Sequence, residues 1–114
     1  MINENSNKLT PLTIEESLIR GGRLLGNKNV ILGIPLKDID ISWFDSINDS
    51  AKNEILKRSD IIYHDRNNEL HFPPVVSFIE NKWKVLYWGF DVILAYKKAK
   101  IDENRDIYCI CCQT

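Results

Sequence analysis

Residues 75–96, VVSFIENKWKVLYWGFDVILAY, crowd β-branched and aromatic side chains together with little helix-like spacing. Such side chains suit a pleated, half-buried surface, so the stretch reads as sheet. It holds two of the three Trp, two of the four Phe and two of the four Tyr residues, and the main apolar core has to be built around it. Residues 75–79 and 83–88 flank Glu80, Asn81 and Lys82, a spacing that fits a hairpin. Gly89 permits a bend or bulge, after which Val92, Ile93 and Tyr96 favour a further strand. Asp91 leaves the alternative open that residues 92–100 form a capped helix.

The signals upstream are mixed. Thr13-Ile14-Glu15-Glu16 matches the capping box that opens a helix. Ile14, Leu18 and Leu25 give this helix an apolar face, Gly21 falls on the same face, and Gly26-Asn27 supplies a stop. Residues 30–34, ending at Pro35, read as a first strand. Phe44, Ile47, Ala51 and Ile55 recur at helical intervals and place a second helix over about residues 43–57. Residues 61–64 and 70–72 flank paired Asn residues and read as a hairpin, and residues 107–112 close the sheet.

These elements predict one α+β domain over residues 1–114, with residues 1–10 as a flexible tail. Its sheet is mostly antiparallel, of about five to seven strands, with two helices packed on one face. Fifteen basic residues against sixteen acidic ones leave no domain-wide positive field for nucleic acid or an anionic membrane. The longest apolar-rich segment is broken by charges well short of the roughly 20 residues a membrane span requires. The N-terminus lacks the pattern of a secretory leader, and the three Cys residues are clustered at positions 109, 111 and 112 with no distant partner. A reducing, cytoplasmic setting is expected.

Residues that carry chemistry are few. His64, Asp65 and His71 form the one acid-base grouping, but neighbouring strand residues point to opposite faces, so Asp65 would not orient His64 without a bend. Cys109, Cys111 and Cys112 lack the second pair that a tetrahedral metal site uses. Residues 21–26, GGRLLG, lack the Lys of a phosphate loop. Lys97, Lys98 and Lys100 beside Tyr96 read as a solvated, protected edge strand. The chain is therefore expected to have no catalytic, cofactor or metal site.

The segment weighed most is residues 38–49. Asp38, Asp40, Asp45 and Asp49 interleave there with apolar and aromatic side chains, so that carboxylates steer a partner and Trp43 anchors it. Leu86 and Trp88 alternate away from the core side of their strand and extend the same surface. The expected function is that of a small protein-binding protein, an immunity-protein or antitoxin-like inhibitor that covers a basic, toxin-like partner without contacting nucleic acid or membrane. The alternatives are a small enzyme using His64, Asp65 and His71 on a phosphate ester or nucleic acid, and a phage-type accessory or oligomeric protein, with a homodimer among its forms.

Overall fold

The computed structural model describes residues 9–26, 29–65, 67–86 and 88–112. Its elements run α1 (Ile14–Leu25), β1 (Asn29–Pro35), β2 (Ile39–Asp40), α2 (Asp49–Tyr63), β3 (Val75–Ile79), β4 (Lys82–Val85), α3 (Phe90–Lys98) and β5 (Asp106–Cys112). The expected N-terminal tail falls mainly outside the described residues, and at its inner end Leu9 is already buried in the core.

The sheet is mixed rather than mostly antiparallel. Its five strands lie in the order β1-β5-β3-β4-β2. β5 runs antiparallel to β1 and parallel to β3, and β2 runs parallel to β4. A parallel pair requires a long crossover, which α3 supplies between the β3–β4 hairpin and β5. Residues 92–100 are thus mainly helical, a correction to the strand favoured from their β-branched content. Val92, Ile93, Ala95 and Tyr96 are all buried, so the helix is apolar around much of its circumference and shows no alternation to distinguish it from a strand. Gly89, not Asp91, takes the cap position.

Among the described residues three helices lie on two faces, where two on one face were expected. Register rows place Ile34 with Ile107, Val76 with Val85 and Cys111, and Ile39 with Trp83. Ile34, Ile39, Val76, Val85, Ile107, Cys109 and Cys111 form one core cluster with Ile55 and Ile62 of α2 and Phe90, Ile93 and Tyr96 of α3. Ile110 alternates to the opposite face, where it meets α1 at Gly21: a Cβ there would stand 2.8 Å from Ile110 Cδ1 and 3.2 Å from Pro73 Cγ. α1 starts as expected, with Thr13 Oγ1 accepting from Glu16 N at 3.1 Å and Glu16 Oε1 accepting from Thr13 N at 3.0 Å. Its buried residues are Ser17 and Gly21, while Ile14 and Leu18 remain half exposed.

The second helix begins later than its apolar spacing indicates. Asn48 Oδ1 accepts from Ala51 N at 2.9 Å, which caps α2 there, and residues Ser42–Ser46 form a separate 3-10 turn. α2 then continues through Ser59 and Ile62 to Tyr63, absorbing the first arm of the hairpin expected over residues 61–72, while residues 70–72 form no strand. The expected hairpin is present but tighter: its turn is Glu80 at φ 55° and Asn81 at φ 64°, the positive values of a type I′ turn, while Lys82 already belongs to β4, which ends at Val85.

Gly89 is the position where backbone freedom matters most. At φ 122° an added Cβ would lie 2.6 Å from Pro74 Cβ and 2.8 Å from its Cα. Gly89→Ala is expected to cost about 3 kcal/mol of stability, through positive-φ strain and overlap with backbone. Gly22→Ala, with nothing within 4 Å of its added Cβ, is expected to add about 0.5–1 kcal/mol. Urea unfolding of both variants checks this, and a neutral Gly89→Ala would contradict the close approach.

Candidate functional site

Because α1 lies over β1 and β5, no helix among the described residues covers the β3-β4-β2 end of that same sheet face. Strand alternation there directs Ile79, Lys84 and Leu86 outward together. With Ser42, Trp43 and Ser46 of the 3-10 turn, these residues line a groove of about 380 Å³. A second groove of about 520 Å³ lies at the β2 edge between Lys37, Asp38, Asp40, Phe78 and Lys82. Phe78 and Trp83 close its apolar side with ring centroids 4.7 Å apart.

Four of the seven expected contact residues line the two grooves, in two separate pairs. Asp38 and Asp40 line one groove, and Trp43 and Leu86 line the other. Trp43 is 44% exposed. Asp40 is partly used by the fold: its Oδ1 accepts from Ser42 N at 2.7 Å and its Oδ2 lies 3.9 Å from Lys82 Nζ. Hydrogen bonds from Ser42 hold its carboxyl below the usual range, and Lys82 and Lys84 add to the effect. Asp45 and Asp49 are exposed, one in the 3-10 turn and one in the first turn of α2. Trp88 is 63% exposed but lines neither groove. Sequence reasoning missed Ile79 and Phe78, although the strand alternation that selected Leu86 also selects Ile79.

The acid-base grouping is divided among different tasks. His64 is exposed at the end of α2, with Nε2 3.6 Å from Asp60 Oδ1. Asp65 holds a turn, accepting from Asn67 N at 3.1 Å and Leu70 N at 2.6 Å. His71 is 1% exposed, and its Nε2 meets Tyr96 Oη at 2.8 Å. Burial pushes the His71 imidazole down to about 4 from 6.5; Arg20 adds to the depression, and Asp65 and Glu16 oppose it. Cys109 and Cys111 pack inward, where burial raises both thiols, Cys111 to about 11. Lys97 and Lys98 belong to the last turn of α3 rather than to an edge strand. Among the described residues, no three of the His, Cys, Asp and Glu side chains are grouped to hold a metal ion, and no helix is long and apolar enough to cross a membrane.

No family model and no curated protein matches the chain. Among solved structures, it is similar to sulfiredoxin from Arabidopsis thaliana at 21% identity and a TM-score of 0.49, covering 75% of this chain and 86% of that one. The expectation that this chain is not an enzyme is withdrawn, and the likeness shows neither an activity nor the absence of one. A likeness of this grade assigns no activity, substrate or residue role here.

Depression of the His71 pKa has a defined pH consequence. The unfolded imidazole takes up a proton below 6.5, whereas the folded one takes it up only near 4. Stability contributed by neutral His71 is therefore full above about pH 6.5, falls as the pH drops towards 4, and levels off below. The total loss is on the order of 3 kcal/mol. Chemical denaturation at pH 7.5, 5.5 and 4 is expected to show it, and His71→Phe to flatten the profile over this interval.

Proposed function

We propose that this chain is a protein-binding module that covers a basic partner with the β2–β4 end of its sheet, in the manner of an immunity protein or antitoxin. The observation that supports this is the open half-face, a groove framed by Trp43, Ile79 and Leu86; Asp45, in the same 3-10 turn as Trp43, and Asp49, in the first turn of α2, carry exposed carboxylates. An apolar centre with a charged rim suits a protein contact, the centre supplying affinity and the rim steering encounter. Among the described residues, no ion pair engages Asp38, Asp45 or Asp49, which leaves them available to cations of a partner. Asp40 has a second role, holding the turn that presents Trp43.

The test is quantitative capture from the source cell with the wild-type chain and two variants. Asp45→Lys/Asp49→Lys reverses the rim, and Ile79→Glu places a charge in the groove. All three positions lie at the surface, so melting temperatures are expected to change little. A basic protein enriched by the wild type is expected to fall roughly tenfold or more with each variant, and to fall with added salt for the wild type. A captured protein retained equally by all three chains would overturn the proposal.

A further inference from the structure

The two edges of the sheet are treated differently. The β2 edge is two residues long and surrounded by Lys37, Asp38, Asp40 and Lys82, a charged and abbreviated end that resists pairing. β1, at the other edge, is seven residues long and reads Asn-Val-Ile-Leu-Gly-Ile-Pro, with no charged side chain. Val30 and Leu32 are 40% and 41% exposed beside it.

Backbone parity identifies which groups face out. Leu36 N donates to Arg105 O at 3.0 Å, continuing the β1–β5 register by one residue. Hydrogen-bonded positions alternate along an antiparallel ladder, so residues 30, 32 and 34 bond to β5 and Asn29, Ile31, Gly33 and Pro35 turn their backbone groups outward. Pro35 falls on the outward set, where the missing N–H breaks no bond to β5. Among the described residues, no hydrogen bond reaches the outward backbone of Asn29, Ile31 or Gly33.

We propose that β1 pairs with β1 of a second copy of this chain, antiparallel about a two-fold axis, joining two sheets into one. An uncharged strand meets its own copy without repulsion, and a two-fold axis makes the pairing antiparallel. The register that overlaps the whole strand sets Leu32 opposite Leu32 of the second copy, Ile31 opposite Gly33 and Asn29 opposite Pro35. Ile31 and Gly33 then exchange two bonds and Asn29 gives one to the Pro35 carbonyl, about six in all after doubling by symmetry. The half-exposed Val30 and Leu32 are covered on one face. On the other, Ile31 of the second copy meets the Tyr108 ring, which already lies over Gly33 so closely that a Cβ there would stand 3.0 Å from Tyr108 Cε1. The contact is one strand wide, in the weak class below about 1,200 Å². It lies at the opposite edge from the grooves, so it stands or falls independently of the function proposed above.

Sedimentation of the full chain across micromolar to about 1 mM concentration is expected to show a reversible shift from the 13.3 kDa monomer to twice that mass. Leu32→Lys, which sets two cations against each other at the axis, is expected to stay monomeric with an unchanged melting temperature. Leu32→Cys, treated with oxidised glutathione as the two-electron oxidant, is expected to form a disulfide between the two copies at position 32, since directly opposed non-hydrogen-bonded residues have the closest Cβ atoms. Val30→Cys, opposed by Ile34 in this register, is expected to form none. A monomer throughout, a Leu32→Lys dimer, or a disulfide from Val30→Cys in place of Leu32→Cys would each overturn the pairing.

Discussion

Insertion of β5 between β1 and β3 is the constraint on which the rest of this structure depends. A strand in that position is enclosed on both faces, and Asp106–Cys112 supplies buried residues for both: Ile107, Cys109 and Cys111 towards α2 and α3, and Ile110 towards α1. Near-continuous burial of this kind accompanies parallel pairing, and β5 is parallel to β3. The parallel pair in turn requires a crossover, and α3 provides it. Pro74 and Gly89 lie in contact at the base of that crossover, where the Pro74 carbonyl accepts from Ile110 N and Val75 N donates to the Trp88 carbonyl.

Coverage of the sheet follows from the same arrangement. α2 and α3 are long enough together to pack beneath the strands, but α1 is a single helix and lies over only β1 and β5. The remaining half-face carries mixed side chains: Ile79 and Leu86 beside Lys84, whose ammonium is 3.8 Å from Glu80. Such a surface is polar enough to remain in water and apolar enough to gain from a partner, which is why the unfilled part of the layer and the candidate site coincide.

Legibility in the sequence divides along local and non-local lines. The Thr13 capping box, the Glu80-Asn81 hairpin and the strand ending at Pro35 rest on short-range chemistry, and each occurs where the residues indicate. What failed required knowledge of tertiary neighbours. Residues 90–98 look β-rich because a helix buried nearly all round has no polar face to show its period, and Asn67-Asn68 resembles a hairpin turn because Asn tolerates positive φ in any tight loop. Asp38 and Asp40 line one groove and Trp43 and Leu86 another, yet the outline of the open half-face depends on α1 covering the other half, and no local pattern states which strands a helix will cover.

The same distinction explains why the residues that look most reactive are structural. The segment from Asp65 to Phe72 has little regular structure, so its backbone polar groups need other partners. Asp65 satisfies two amides, and Arg20 reaches across from α1 to the carbonyls of Asn68 and His71, the latter at 2.9 Å. At the centre, Tyr96 Oη accepts from Leu12 N at 3.4 Å and also meets His71 Nε2, while His71 Nδ1 has no partner among the described residues. With the ring neutral, the Leu12 amide, the tyrosine hydroxyl and one imidazole N–H are three donors sharing two contacts, so one donor is unmatched in either tautomer. Protonation would add a fourth donor, with no acceptor for it among the described residues, and a buried charge that Asp65 and Glu16 only partly offset. The low basicity of His71 therefore follows from donor counting as well as from burial, and a histidine so placed holds α1, the 65–72 segment and α3 together as a neutral group.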